Sequence, residues 1–403
     1  MKAEQLGDSQ TSRPPPQQAP KTAEMRGARG FHYLPQLDGL RALAVAAVAA
    51  AHAEVPFASG GGIGVDVFFV LSGYLITTLL LQEFDATGTV SMRTFYIRRA
   101  RRLLPALLAV AAFSFVAFAV VRPVETDDTL LGILVSVFYV SSWFRALGIS
   151  DLGWFGHTWS LSVEEHFYIL WPPLALFMMR RGVPSLRRWI VVLLGVTVAY
   201  QLAVAVSGAP SARINGIDMR AGQLLAGCGL AVLLMGGAVV RSPRWTALWR
   251  MLVVLSVVDL ARTVAYPYSF GVGFLQNAAI SVVALESAII IGYLVVHARG
   301  TLSRVLSHPA LVWTGRRSYA IYLWHLPLIG LLSFKGHPMP VRVAGRGTAA
   351  VLTIVAAWAS FKWIESPFYR RRVEQPAATP EGAPPPGETG DRPATAPVGR
   401  RST

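Results

Sequence analysis

The chain has 403 residues, of which 53% are hydrophobic and 15% charged, and a formal net charge of +15. Soluble domains carry about a quarter charged residues, whereas apolar stretches of about 17 to 25 residues, each long enough to cross a bilayer, recur here from Leu40 to Ile364, so a soluble enzyme is excluded. The cationic excess sits in short Arg clusters between apolar spans, which is the positive-inside pattern and sets nucleic-acid binding aside, and the single Cys228 removes a disulfide framework or a Cys-based metal site.

In chain order, residues 1–35 are rich in Pro, Gln and Ala with no apolar run, and are expected to form a disordered cytoplasmic tail rather than a signal peptide. Gly7-Asp8-Ser9 in that tail has the look of an esterase nucleophile block, but no core can form around it. Eleven apolar segments follow, at 38–55, 62–82, 103–121, 129–145, 158–179, 189–207, 218–240, 246–260, 272–296, 318–334 and 346–364. Residues 371–403 form a second polar tail. Arginines gather at Arg93 to Arg102, at Arg180, Arg181, Arg187 and Arg188, at Arg241, Arg244 and Arg250, and at Arg299, Arg304, Arg316 and Arg317, and these connections are expected in the cytoplasm. The alternate connections are poorer in charge or acidic, as at Glu125, Asp127 and Asp128, although Lys335, Arg342 and Arg346 blur the contrast late in the chain.

Eleven full crossings would place the strongly cationic loops 82–102 and 180–188 on opposite sides. One segment must therefore fail to cross, either 129–145 or 158–179, and the second opens on residues too polar to face lipid. The expected fold class is an all-α polytopic membrane protein with about ten transmembrane helices plus one re-entrant or partial helix, both termini cytoplasmic, in a bacterial plasma membrane. The membrane domain is expected over 36–370. The 33 Arg against four Lys lean toward a GC-rich bacterial source.

Ionisable groups inside apolar helices are costly and mark interior cavities by default. Arg41 and His52 are eleven positions apart, about three turns, and so share a face about 16 Å apart along the first helix. Arg41 snorkelling and His52 capping the far end beside Glu54 would explain the same spacing. Arg98, Arg99 and Arg102 enter the third segment at i, i+1 and i+4, a cluster able to fork onto phosphate oxygens or simply to anchor the helix. In Trp159-Ser160-Leu161-Ser162-Val163-Glu164-Glu165-His166-Phe167-Tyr168, the residues Ser160, Glu164 and Tyr168 share a face, and the carboxylate pair is suited to orienting or balancing a His or Arg. Ser318, Tyr322 and His325 line one side of another segment. Gly60-Gly61-Gly62-Ile63-Gly64 lacks a P-loop ending and reads as a tight outer turn, which leaves Asp66 near His52 and Glu54 in an outer vestibule. No spacing suits zinc and no G-x-S-x-G elbow is present, so no metal site is expected.

These blocks together resemble the acyltransferase-3 family of integral membrane O-acyltransferases. The resemblance rests on Gln36-Leu37-Asp38-Gly39-Leu40-Arg41 with ten residues to His52, on Gly64-Val65-Asp66-Val67-Phe68-Phe69-Val70-Leu71-Ser72-Gly73-Tyr74, on Phe95-Tyr96-Ile97-Arg98-Arg99 through Pro105, on His157-Thr158-Trp159-Ser160-Leu161-Ser162-Val163-Glu164-Glu165, on Ser318-Tyr319 through His325, and on Trp363-Ile364-Glu365-Ser366-Pro367. It spans about 36 to 370. It departs from the family at His166, where Gln is usual, and no extracellular SGNH-type esterase domain is expected after the last helix. The resemblance implies acyl transfer, often of acetyl, from a cytoplasmic coenzyme A thioester to a hydroxyl of a carbohydrate or glycosylated natural product, such as peptidoglycan, a surface polysaccharide or a macrolide. It also implies that Arg41 and His52 are the family's essential pair and that Arg98, Arg99 and Arg102 are its arginine motif.

The chemistry requires a base for the acceptor hydroxyl and stabilisation of an oxyanion. His52 is the expected base, with Glu164 or Glu165 holding its ring and Glu54 and Asp66 as competitors. Arg98, Arg99 and Arg102 are expected on the coenzyme A phosphates, Arg41 on phosphate or the pantetheine arm, and Asp66, Ser160, Tyr168, Tyr322 and His325 along the substrate path. An acyl-histidine intermediate is the variant mechanism. Acyl-CoA is expected as a donor substrate with no permanently bound cofactor, and a separate esterase-like acyl acceptor is an expected partner. A proton-coupled secondary transporter is the rival class.

Overall fold

The computed structural model describes residues 33–121, 126–207, 211–236, 243–267, 273–332, 334 and 336–370, all helical or connecting. The expected tails over 1–32 and 371–403 lie outside the described residues, as do Glu125, Arg241, Lys335 and the Asp127 side chain. Pro35 supplies the first-turn residue of α1 (Pro35–His52), and Asp38 complements its N-terminal dipole. A 3₁₀ turn at Gly61–Ile63 leads into α2 (Gly64–Thr87), which stops at Gly88 with φ of 71°. α3 (Met92–Val121) has 30 residues, about 45 Å, so one end projects beyond a hydrocarbon core of about 30 Å. Its N-terminal third holds the Arg cluster.

Of the two segments 129–145 and 158–179, the broken one is 129–145. It is broken at Tyr139, which has φ of 55°, into α4 (Thr126–Val137) and α5 (Ser141–Ala146). Twelve residues rise only about 18 Å. The segment at 158–179 instead forms the unbroken α6 (Trp159–Met179), 21 residues or about 31 Å long. Its polar opening is tolerable because the broken segment covers it. Ser142 and Ser162 hydroxyls lie 2.8 Å apart, Ser162 also donates to the Tyr139 carbonyl, and Ser136 and Thr158 hydroxyls lie 2.5 Å apart.

The chain continues through α7 (Val183–Val206), α8 (Ile217–Met235), α9 (Pro243–Ala265), α10 (Gly273–Val296), two short helices α11 (Thr301–Leu306) and α12 (Pro309–Arg316), α13 (Ser318–Leu331), and α14 (Met339–Ala359), which passes through a π-helical stretch Ser360–Glu365 into α15 (Ser366–Arg370). Among the described residues, six stretches are long and apolar enough to cross a membrane: Gly61–Thr87, Met92–Val121, Val183–Val206, Ile217–Met235, Ala279–Val296 and Met339–Phe368. α1, α6 and α9 have the length but carry charges, and α13 is only 14 residues long. Val191, Val196 and Val206 on α7 are exposed, as on a helix that faces lipid.

α2 is the central element, packed against α1, α6, α8 and α10. It meets α8 at backbone contact: a Cβ on Gly73 would stand 1.9 Å from the Leu224 carbonyl oxygen, and one on Gly227 would stand 2.0 Å from that of Val70. Small residues allow this approach where apolar lipid supplies no hydrophobic drive. Gly315 of α12 meets the Asp38 carbonyl of α1 in the same way, at 1.8 Å. That contact fixes the end of α1 from which Arg41 projects.

Candidate active site

α1, α2, α3, α6 and α13 enclose a cavity of about 580 Å³. Its lining begins at helix ends that gather on one side, with Asp38 of α1, Glu83 of α2, and Arg98 and Arg102 of α3, and runs inward past Arg41, Phe68 and Ser72 to Ser160 and Tyr322. The rim is organised by charge. Tyr33 donates to Asp38, Arg316 donates to the Tyr33 hydroxyl over 3.1 Å and lies 3.7 Å from Asp38, and Arg98 lies 3.8 Å from Glu83. Burial and the neighbouring Asp38 raise the Tyr33 phenol above its ordinary range, so Tyr33 keeps the proton that it donates.

Halfway along, α3 and α6 are tied by a half-buried ion-pair network. The Arg99 Nε donates to Glu165 over 2.9 Å, its guanidinium lies 4.0 Å from Glu164 and 3.0 Å above the Tyr168 ring, and Ser72 of α2 donates to Glu164 over 2.9 Å. Expectation and structure part here. Both carboxylates are spent on Arg99 and Ser72 rather than on His52, and Arg99 is committed to them rather than free for a phosphate. Arg98 and Arg102 are exposed beside the same cavity. Arg41 is half buried in the wall, and its Nε has no hydrogen-bond partner among the described residues. It is the cation of the cavity best placed to receive an anion from outside the protein.

At the inner end, the Ser160 and Tyr322 hydroxyls lie 2.6 Å apart, and Tyr322 donates to the His157 carbonyl over 2.6 Å. Behind them stand three imidazoles. The His325 ring is 5.5 Å from that of Tyr322, 5.1 Å from His157 and 5.1 Å from His52. His52, the last residue of α1, is exposed and does not line the cavity. Its Nδ1 lies 3.0 Å from the Val48 carbonyl and 3.2 Å from the His325 Nε2. The face shared by Arg41 and His52 is thus real as helix geometry, but the two residues serve opposite ends. Arg41 reaches the cavity, and His52 stands beyond its closed end, behind Tyr322 and His325.

Asp66 is not in a vestibule with His52. It is buried and paired with Arg220 of α8 at 2.6 Å and with Gln223 at 3.1 Å, and Arg220 also donates to the Ile214 carbonyl. Glu54 is taken by Arg346 and Arg342 of α14. Among the described residues, no group of His, Cys, Asp or Glu is arranged to hold a metal ion. Sequence reasoning did not select Ser72, His157 or Arg220. Ser72 and His157 lie inside quoted motifs, so the signal was present, whereas Arg220 sits in an unremarkable apolar helix and only its contact with Asp66 marks it.

No solved structure matches the chain. Relatives do. The peptidoglycan O-acetyltransferase OatA of Listeria monocytogenes is 34% identical over 349 residues, covering 83% of this chain and 56% of that protein. A Bacillus subtilis protein named provisionally as a peptidoglycan O-acetyltransferase is 33% identical, covering 83% and 55%, and a Staphylococcus aureus protein named provisionally as an O-acetyltransferase is 31% identical, covering 88% and 60%. The chain spans a little over half the length of these relatives. Its residues 34–362 match the acyltransferase domain family, and the arginine-bearing α3, the Arg41 helix and the cavity lining apart from Tyr33 fall within them. The transporter alternative is set aside by that match, and the chain belongs to the acyltransferase domain family.

Proposed function

We propose that the chain is a membrane O-acetyltransferase that takes acetyl from acetyl-CoA in the cytoplasm and passes it to a hydroxyl of a cell-wall glycan. The observation that carries this reading is the cavity itself. It is open at a rim bearing Arg98 and Arg102, narrows past Arg41, whose Nε has no hydrogen-bond partner among the described residues, and ends at Ser160 and Tyr322, the Tyr322 ring being two ring contacts from His52. Arg98 and Arg102 suit the coenzyme A phosphates at the rim, and Arg41 suits the pantetheine arm or a phosphate. The Tyr322 proton is committed to the His157 carbonyl, so of the two hydroxyls at the inner end only that of Ser160, turned away from Tyr322, can donate to the thioester oxygen as it turns into an oxyanion.

His52 acts as general base on the acceptor hydroxyl. Its proton passes to His52 Nε2, the acceptor oxygen forms the ester bond to the acetyl carbon, the carbon–sulfur bond breaks, and the departing thiolate takes up a proton to leave as free coenzyme A. In this reading the cationic helix ends and the termini are cytoplasmic, and the ten crossings are the six apolar spans with α1, α6, α9 and the short α13, whose 14 residues are unbroken, while the broken α4 and α5 form the partial element. His52 then faces the outer side. The named activity of the relatives supports peptidoglycan as the first acceptor to try, with an esterase-like protein as the intermediary if the glycan is not acetylated directly.

The test is transfer of labelled acetyl from acetyl-CoA in membrane vesicles holding wild type or His52→Ala, with peptidoglycan fragments as acceptor. Label in the glycan with wild type alone supports the reading. Failure of wild-type membranes to bind acetyl-CoA or to release coenzyme A above the control refutes it.

A further inference from the structure

Resting on that reading of His52, we propose that His325 is the positioning residue that holds His52 in its basic tautomer, in the place where a carboxylate stands in many histidine-based sites. The His325 Nδ1 lies 2.6 Å from the Tyr322 carbonyl oxygen. A carbonyl can only accept, so Nδ1 carries the ring proton and Nε2 of the neutral ring is left as an acceptor. That Nε2 lies 3.2 Å from His52 Nδ1, and the Val48 carbonyl lies 3.0 Å from the same nitrogen. Two acceptors converge on one nitrogen, so His52 Nδ1 carries the proton and shares it between them. The lone pair is therefore on Nε2, the atom that must take the acceptor's proton.

The carboxylates are engaged elsewhere, so His325 is the side chain that shares this task with the Val48 backbone carbonyl. Glu164 and Glu165 are held by Arg99 and Ser72, Glu54 by Arg346, and Asp66 by Arg220. His325 is 1% exposed, and its ring is packed against Tyr322, His52 and His157. When His52 takes up a proton, its Nδ1–H still donates to the His325 lone pair, so the hydrogen bond survives the change of charge. The neutral partner also explains why an exposed base can sit at the end of a membrane helix with no carboxylate on it among the described residues.

The experiment compares His325→Phe, which keeps a ring but no acceptor, and His325→Gln, which keeps a side-chain acceptor, with wild type and His52→Ala. Turnover and KM for acetyl-CoA are measured with saturating acceptor. His325→Phe is expected to lower kcat on the order of 100-fold or more with KM for acetyl-CoA within about twofold, and His325→Gln to recover about tenfold or more of the loss. Equal losses in the two variants, an unchanged kcat in His325→Phe, or a loss confined to acetyl-CoA binding would overturn the proposal. In case the Phe variant does not fold, ¹⁵N-histidine NMR of the wild type, with His52 assigned against His52→Gln, reads the tautomer directly. A protonated Nδ1 and bare Nε2 are expected, and the reverse overturns the proposal. If His52→Ala itself keeps full activity, the base reading fails first; if it is inactive while His325→Phe is not, only the role of His325 fails.

Discussion

The arginine-rich entry of α3 contains two kinds of arginine, and replacing them one at a time separates the roles. Arg99 and its carboxylate partners are 16 to 17% exposed, so Arg99→Gln strands Glu164 and Glu165 in a low-dielectric interior and removes the stack on Tyr168. Losing one partner of a buried pair costs about 3–5 kcal/mol, and the lost cation–π contact adds about 1 kcal/mol. Arg98, 43% exposed and 3.8 Å from Glu83, contributes at most about 1 kcal/mol to stability. The assay is the midpoint for loss of monodisperse protein on heating in detergent, for Arg98→Gln, Arg99→Gln and Arg99→Gln with Glu165→Gln. Arg99→Gln is expected to fall several times further than Arg98→Gln, and the double variant to regain part of the loss because one stranded charge has been removed. Acetyl-CoA affinity is expected to weaken in Arg98→Gln at almost unchanged stability. If the two single variants are equally stable, or the double variant is no better than Arg99→Gln, Arg99 is not structural and the division of the cluster is wrong.

Three further outcomes follow from the packing and the cavity. Arg41→Ala is expected to raise KM for acetyl-CoA roughly 10- to 100-fold, the equivalent of one charge-assisted hydrogen bond, without lowering the thermal midpoint, since Arg41 Nε has no partner in the fold among the described residues; a drop in stability at unchanged KM would reverse its role. Asp66→Asn is expected to cost about 3–5 kcal/mol by stranding Arg220, seen as a lower midpoint that Arg220→Gln partly restores; wild-type stability in Asp66→Asn would return Asp66 to the substrate path. Gly73→Ala, whose Cβ would fall 1.9 Å from the Leu224 carbonyl, is expected to lower both midpoint and yield by forcing α2 and α8 apart, while Gly347→Ala, with nothing within 4 Å, is neutral or better in the same heating assay.

The chain's local patterns carried a good deal. Apolar run length and arginine placement identify a membrane protein from composition alone, because a bilayer imposes the same length and the same charge asymmetry on every crossing. The eleven-residue interval from Arg41 to His52 read correctly as one helix face, because helical rise and twist are local properties, and the ordered motifs named the family that the comparison confirms. What only the tertiary structure decided is who pairs with whom. Which of two segments is broken and which runs on as one helix depends on whether another part of the chain covers the polar opening, as Tyr139 and Ser142 do for Ser162. Glu164 and Glu165 could have served His52 or an arginine with equal chemical sense, and the packing of α3 on α6 gave them to Arg99. Asp66 looked near His52 along the chain, yet α8 brought it Arg220 from 154 positions away. Desolvation makes an unpaired intramembrane charge so costly that each one is matched wherever the fold brings a partner. The sequence announces that such charges exist, and only the three-dimensional neighbourhood shows which of them, like Asp66 and Arg220 or Arg99 and Glu165, are spent on each other.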